Sequence, residues 1–193
     1  MQSVIFRDRI DAAKKLVERL YWLKDEIREN KSPAVIVAIP RGGVVIGDVI
    51  ASEVGVKLDL VVSRKIGAPS NSELAIGAVM PDGSYFLNEV ADMINVSQDY
   101  IESQINKEVK EIDRRLIDFR GSRNYDNELE GKLAVLVDDG IATGATMLAS
   151  ARWIKEKHNC KKLVIAVPVA PKEILEAILR AEGKRDLELE NIV

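Results

Sequence analysis

Hydrophobic residues recur along this chain in two patterns, one typical of helices and one typical of buried strands. Over residues 7–30 apolar side chains return at steps of three and four, which predicts an amphipathic helix that ends near Pro33. Residues 35–39 and 133–137 are instead short and entirely apolar, the pattern of strands that are covered on both faces of a sheet. These two strands are therefore predicted to lie in the interior of the molecule.

The rest of the pattern predicts alternating strands and helices. We expect strands at 58–63 and 163–167, a β-hairpin formed by 75–80 and 84–87, helices over 44–53, 97–119 and 172–181, a helix that starts near Thr143, and an edge strand at 187–193. Because strands joined through helices pair in parallel, the predicted fold class is α/β, with an open, mainly parallel sheet flanked by helices. Residues 66–72 are rich in small and polar side chains and are predicted to form a mobile loop.

Composition and charge narrow the possible functions. The length of 193 residues suits one domain, 1–193. With 28 Lys and Arg against 31 Asp and Glu the net charge is −3, so neither nucleic acid nor an anionic membrane is an expected partner. Cys160 is the only cysteine, which excludes an internal disulfide and fits a reducing compartment. No targeting signal is recognisable at the amino terminus, so we expect a cytoplasmic protein.

The most informative segment is 135–146, where an apolar strand ends in two carboxylates and a turn of small residues. Asp138 and Asp139 can accept hydrogen bonds from sugar hydroxyls. The turn leads into a predicted helix, whose positive end favours an anion. The backbone N–H groups that can bind one phosphate there belong to Ala142, Thr143, Gly144, Ala145 and Thr146. The segment therefore fits a ribose 5-phosphate, whereas the absence of GxGxxG and GxxxxGK[ST] argues against a dinucleotide-binding fold and a nucleoside triphosphatase.

Two further segments follow predicted strands. Pro40, Arg41, Gly42 and Gly43 come directly after residues 35–39; the glycines let backbone amides approach an anion, and Arg41 adds a fork of donors. Because loops at the carboxyl ends of neighbouring parallel strands share one crevice, this segment is expected to face the same ligand as the two carboxylates.

The third segment begins with two cations, Arg64 and Lys65, and continues into the predicted loop at 66–72. Taken alone, a basic turn of this kind is most often a solvated surface. Its place beside the other two segments is what makes it a candidate for anion chemistry.

The three segments together resemble the type I phosphoribosyltransferases. VDDGIATGAT is similar to their phosphoribosyl pyrophosphate (PRPP) binding motif at Asp138, Asp139, Thr143, Gly144 and Thr146. The other two segments resemble the family's pyrophosphate loop and catalytic loop, in the same order, and the resemblance covers residues 6–171. The segments RKIGAPSNSELAIGAV and VDDGIATGAT look most like bacterial and archaeal predicted phosphoribosyltransferases whose acceptor is undefined.

The resemblance implies an enzyme that uses Mg²⁺ to transfer the 5-phosphoribosyl group of PRPP to a nitrogenous base and that releases pyrophosphate. It also implies a small hood at about 66–130, a cis peptide bond between Pro40 and Arg41, a homodimer and a role in nucleotide salvage. The implied catalytic residues are Asp138, Asp139, Arg64 and Lys65, with the two aspartates holding the ribose hydroxyls directly or through the metal. Residues 142–146 would bind the 5-phosphate, and Arg41, Gly42 and Gly43 would bind pyrophosphate.

Two departures from the family pattern leave the acceptor open. Ala142 stands where enzymes for 6-oxopurines usually place an acidic residue, which weakens hypoxanthine and guanine as acceptors. No aromatic residue follows Trp153, although relatives are expected to have one in the tail. The alternative hypothesis is a non-catalytic regulator of the same fold that senses PRPP or a nucleotide.

Overall fold

The structure is a computed structural model that describes residues 6–29, 33–125, 128–182 and 187–191. Its strands are β1 Ala34–Ala38, β2 Lys57–Leu60, β3 Arg64–Ala68, β4 Asn71–Val79, β5 Tyr85–Leu87, β6 Leu133–Val137, β7 Lys162–Val167 and β8 Leu187–Asn191. Its helices are α1 Arg9–Arg19, α2 Tyr21–Glu29, α3 Gly42–Val54, α4 Glu89–Met93, α5 Gln98–Arg120, α6 Ala145–His158 and α7 Lys172–Glu182. The alternation of strands and helices confirms the α/β prediction.

The main sheet has the order β2-β1-β6-β7-β8, and all of its pairings are parallel. The chain moves outwards from β1 to β2 on one side and returns to place β6 on the other side. The strand order therefore reverses between β1 and β6. In open α/β sheets a crevice for ligands lies outside the carboxyl ends of the strands at such a point.

Both faces of the main sheet are covered, which explains the uninterrupted apolar strands. Val35 and Val37 belong to a core that includes residues of α5 and α6, whereas Ile36 and Ala38 belong to a second core that includes residues of α1 and α3. Alternate residues of one strand therefore serve opposite layers, as the pleat of a strand requires.

The first predicted helix, over 7–30, is two helices in the described residues. Leu20 closes α1 with φ −91° and ψ 19°, and its N–H donates to the carbonyls of Leu16 and Val17. Leu20 is itself buried, so the break leaves the apolar face intact and the periodicity does not reveal it. Residues 30–32 lie outside the described residues, as do 192–193 of the predicted edge strand; the described part of that strand forms β8 at the edge of the sheet.

The prediction of a mobile loop at 66–72 is wrong, because these residues form the end of β3, a turn and the start of β4. Ile66 and Ala68 are buried. An added Cβ at Gly67 would lie 2.6 Å from the carbonyl oxygen of Ser72, so this glycine allows two strands to approach closely. β3, β4 and β5 make a separate antiparallel sheet, which includes the predicted hairpin.

The long helix α5 confirms its prediction: the Ser97 hydroxyl caps it by accepting from the N–H of Tyr100, and it ends at Gly121 with φ 72°. At this end the Arg120 guanidinium binds both carboxylate oxygens of Asp59 in β2, at 2.5 and 3.0 Å. The Tyr125 ring lies 4.1 Å from the Arg120 Cζ. This buried cluster ties the helix to the main sheet.

Among the described residues, no helix is both long enough and apolar enough to cross a membrane.

Candidate functional site

The carboxyl ends of β1 and β6 lie side by side, and two of the three predicted segments meet there. Ala38 pairs with Val137, and the N–H of Ile39 donates to the carbonyl of Val137 at 3.0 Å. The segment after β1 therefore faces the carboxylates that follow β6. The Pro40–Arg41 peptide bond is cis, as the resemblance predicts.

Two glycines make this contact possible. An added Cβ at Gly42 would lie 1.9 Å from Oδ2 of Asp139, and one at Gly43 would lie 2.8 Å from the carbonyl oxygen of Val137. Any side chain at either position would collide with β6 or with the carboxylate that follows it. Close contact, with the Asp139 carboxylate at Gly42 and with the backbone of β6 at Gly43, therefore sets glycine at these positions rather than an unusual φ.

Asp138 is the most perturbed carboxyl group of the site. The pKa of Asp138 is raised to about 7, mainly by burial and also by the charge of Asp139, while backbone N–H groups oppose the shift. One of these donors is the N–H of Asp139, 2.8 Å from Asp138 Oδ1, and another belongs to Gly43. A carboxyl group in this state becomes charged readily when positive charge appears beside it.

Asp139 is held by a residue that the sequence analysis missed. Arg9, the first residue of α1, places Nε 2.7 Å and Nη2 2.6 Å from Asp139 Oδ2. Periodicity puts Arg9 on the polar face of a helix, but it gives no information about where that helix packs. No local signal in the sequence identifies this contact.

The amino terminus of α6 has the form of an anion site. Gly144 occupies the cap position with φ 78° and makes no side-chain cap hydrogen bond to the first turn of the helix. Ala142 and Thr143 are exposed, and Ala145 and Thr146 are partly exposed. These residues present the positive end of the helix without an obstructing side chain.

Two independent features of position 144, its contacts and its backbone conformation, favour glycine. An added Cβ would lie 2.7 Å from Cγ2 of Ile174, and the positive φ itself favours glycine.

In the structure Arg64 and Lys65 each form an ion pair with a glutamate. Arg64 Nε lies 2.7 Å from Glu108 Oε2 on α5, and the Glu108 side chain is only 8% exposed. Lys65 Nζ lies 3.2 Å from Glu73 Oε2 on β4, with both side chains well exposed. The first pair is part of the packing between the small sheet and α5, whereas the second is a surface contact.

The small antiparallel sheet also supplies an aromatic side chain next to the turn that precedes α6. Phe86 lines a cavity of about 590 Å³ together with Thr143, Gly144 and Ala145, and the Arg152 guanidinium lies 6.0 Å from the Phe86 ring. Tyr100, a second aromatic residue of this region, donates its hydroxyl to the carbonyl of Gly67 at 3.0 Å. Its polar end is therefore engaged in holding the β3–β4 hairpin.

The adjacent carboxylates fit Mg²⁺ only as part of a larger ligand set. Within the described ranges, no group of three or more His, Cys, Asp and Glu side chains is arranged to hold a metal ion. Mg²⁺ commonly keeps several waters and binds through one or two carboxylates plus the phosphates of a substrate. Asp138 and Asp139 are suited to that arrangement.

The fold and this site define a family. The sequence model of the phosphoribosyl transferase domain matches residues 7–180, and the chain belongs to that family.

Individual relatives support the same family assignment. Two proteins of Mycobacterium tuberculosis, from strains CDC 1551 and H37Rv and each named "Putative phosphoribosyl transferase", are 37% identical over 172 residues, or 89% of this chain. The chain spans only 37% of the length of these curated relatives.

Solved structures give the same result for the fold. The crystal structure of TT1426 from Thermus thermophilus is 34% identical, with a TM-score of 0.75 over 98% of this chain and 84% of that one. A hypoxanthine phosphoribosyltransferase from Staphylococcus aureus has a TM-score of 0.52 over 99% of this chain and 77% of that one. At 11% identity, this second likeness concerns the fold alone.

Proposed function

We propose that this protein is a Mg²⁺-dependent phosphoribosyltransferase, which transfers the 5-phosphoribosyl group of PRPP to a nitrogenous base and releases pyrophosphate. The observation that carries the proposal is the contact between Gly42 and Gly43 on one loop and Asp138 and Asp139 on the other, next to the uncapped start of α6. This arrangement offers donors for two phosphate groups on either side of acceptors for a sugar. PRPP has that order of groups.

Each part of the site has a defined task in the proposed reaction. Residues 142–146 bind the 5-phosphate, and Arg41, Gly42 and Gly43 bind the diphosphate. A lone pair on the acceptor nitrogen forms the new bond to C1 of the ribose as the C1–oxygen bond breaks. The electron pair of the broken bond leaves with pyrophosphate, and the proton of the acceptor nitrogen passes to water. Asp138 and Asp139 hold the ribose hydroxyls and stabilise the positive charge that grows on the ring.

Mg²⁺ would be held by the same two aspartates together with the diphosphate, where it would neutralise charge on the leaving group. Lys65 assists the departure of pyrophosphate once its ion pair with Glu73 has broken. Breaking this pair costs little free energy because both side chains are exposed. Arg64 has the same role in the proposal but must first leave a buried carboxylate.

The test is release of pyrophosphate from PRPP by the purified protein with Mg²⁺ and a panel of purine and pyrimidine bases, with Asp139→Asn as the matched control. We expect turnover with at least one base and a loss of at least about a hundredfold in the variant. Equal rates in the two proteins for every base would contradict the proposal. Because Ala142 replaces an acidic residue, we expect hypoxanthine and guanine to be poor acceptors.

A second candidate function is a PRPP-sensing regulator. It is favoured by the ion pairs that engage Arg64, Lys65 and Asp139 in the structure, since all three are residues that catalysis needs. The discriminating measurement is thermal unfolding with and without PRPP and Mg²⁺. Stabilisation by PRPP without turnover of any base would favour the sensor over the enzyme.

The proposal includes a cytoplasmic homodimer that acts in nucleotide salvage. It rests on the family membership of the chain. Sedimentation equilibrium measures the oligomeric state, and a monomer at micromolar concentration would remove the dimer from the proposal.

A further inference from the structure

Arg9 reaches the candidate site from the other end of the chain. Two nitrogens of its guanidinium lie on a single oxygen of Asp139, at 2.7 and 2.6 Å, and the two side chains are 59% and 31% exposed. An exposed ion pair of this kind contributes little to stability. Its position beside the predicted ribose and diphosphate sites therefore needs another explanation.

Packing, and not the ion pair, fixes where Arg9 lies. Ala13 and Leu16 of α1 are buried in one core with Ile46 and Ile50 of α3, the helix that begins at Gly42. The Asp8 carboxylate caps α1 by accepting from the N–H of Asp11 at 2.8 Å. The start of α1 is thus held next to the start of α3 whether or not Arg9 binds Asp139.

One oxygen of Asp139 contacts both Arg9 and the predicted diphosphate loop, residues 41–43. Oδ2 of Asp139 lies directly over Gly42, 1.9 Å from the position of an added Cβ, and it is the same oxygen that Arg9 binds. The guanidinium is therefore a neighbour of the segment 41–43. A guanidinium presents parallel donors that match two oxygens of a phosphate group.

The charge of the site makes a further cation useful. Arg64 and Lys65, the predicted cations of the leaving-group site, are paired with Glu108 and Glu73 in α5 and the second sheet. A diphosphate carries several negative charges in a crevice that also contains two aspartates. The chain supplies Arg41 and Arg9 at that edge.

We propose that Arg9 is a diphosphate ligand that exchanges partners: when the ribose hydroxyls take Asp139, the Arg9 guanidinium moves from that carboxylate to the diphosphate of PRPP. This inference rests on the proposed function. It assigns a substrate contact to α1, which none of the three predicted segments includes.

The two halves of PRPP test the exchange separately. Calorimetric titrations with Mg²⁺ measure binding of pyrophosphate alone and of ribose 5-phosphate alone to the wild type, to Arg9→Gln and to Arg9→Lys. For Arg9→Gln we expect at least about tenfold weaker binding of pyrophosphate, because one charged donor pair is lost, and unchanged or tighter binding of ribose 5-phosphate, because Asp139 is released. Arg9→Lys should restore part of the affinity for pyrophosphate.

Arg19→Gln is the matched control, since Arg19 is an exposed arginine in the last turn of the same helix. Its affinity for both ligands should equal that of the wild type. If Arg9→Gln weakens both ligands equally, Arg9 only positions Asp139 and the exchange is refuted. If it changes neither, the contact has no role in binding. A wild type that binds neither ligand nor PRPP itself would overturn the proposed function and this inference together, whereas the other two failures leave the proposed function standing.

Discussion

The residue type at position 42 is determined by a side chain that lies far away in the sequence, the carboxylate of Asp139. Its backbone conformation is open to any residue, because it starts an ordinary helix. What excludes a side chain is the carboxylate of Asp139. A substitution at position 42 should therefore act on the site more than on the fold.

Gly42→Ala is expected to displace Asp139 or the loop that carries Gly42. Activity should fall by about a hundredfold, because a shift of about an ångström in a reacting group has effects of that size. The free energy of unfolding should change by less than about 1 kcal/mol, because the partly exposed Asp139 carboxylate can move aside. Gly140→Ala is the control: it lies in the same turn as the aspartates, but its Cβ would lie 3.4 Å from the nearest atom, the carbonyl oxygen of Val169. Pyrophosphate release and urea denaturation measure the two effects, and equal activity of the two variants would contradict the argument.

His158 illustrates a residue whose surroundings the sequence does not reveal. A histidine near a helix end, between Lys157 and Asn159, suggests a surface cation or a cap. In the structure its ring instead lies 4.1 Å from the ring of Trp153, and burial lowers its pKa. Asp82 acts against this shift, whereas Arg120 reinforces it.

Protonation of His158 should therefore destabilise the fold. The pKa of His158 is lower in the folded protein than in the unfolded chain. Its neutral form therefore contributes stability that is fully present above the unfolded pKa of about 6.5 and is lost as the pH falls below that value and through the folded pKa. The difference in the free energy of unfolding between wild type and His158→Gln should shrink from about pH 8 to about pH 5. A difference that stays constant or grows would show that His158 does not titrate in this way.

At the scale of elements, the β3–β4 hairpin carries Arg64 and Lys65, and their different partners predict different consequences. Arg64→Gln leaves the buried Glu108 carboxylate with only its longer contact to Lys107, at 3.9 Å, so we expect a loss of about 1–3 kcal/mol in the free energy of unfolding. Lys65→Gln breaks an exposed pair and should change stability by less than about 1 kcal/mol. If Lys65 assists the leaving group, its variant should still lose kcat.

The double variant Arg64→Gln/Glu108→Gln separates packing from catalysis. A double-mutant cycle of urea denaturation should give a coupling energy between the two positions, because each charge is harmful without the other. If Glu108→Gln alone keeps kcat while Arg64→Gln loses it, Arg64 acts in the reaction as well as in packing. Equal losses of kcat would assign Arg64 to packing alone.

Elements that depend on local pattern could be predicted from the sequence, and those that depend on long-range contacts could not. Buried strands such as β1 and β6 and the capped helix α5 carry their signals within a few residues. The β3–β4 hairpin escapes prediction because Gly67 and its polar neighbours resemble a loop, and only the pairing of the two strands explains them. Arg9 escapes it because its contact depends on how α1 packs on α3.

For the whole molecule, the two cores share their central strands. Alternate residues of β1, β6 and β7 contribute to the core on each side of the main sheet. One side cannot lose its packing without exposing strands that the other side also uses. The single domain predicted for residues 1–193 should therefore unfold cooperatively.

The two tryptophans report on the two sides separately, because Trp153 is buried in the core with α5 and α6 and Trp22 packs against the core with α1 and α3. Fluorescence of Trp22→Phe and of Trp153→Phe should each give a denaturation midpoint that coincides with the far-UV circular dichroism of the same variant. Midpoints that separate within one variant would divide the chain into independently unfolding units.

The pairing of β1 with β6 also has a consequence for how the protein becomes active after synthesis. Gly42 and Gly43 leave the ribosome long before Asp138 and Asp139, and the two groups meet only after the chain between them has closed. Closing a long segment is a slow, non-local step in folding. A nascent chain that ends before Leu133 contains the predicted diphosphate loop but lacks the strand that orders it, so we expect substrate affinity to appear late, in one step, when β6 pairs with β1.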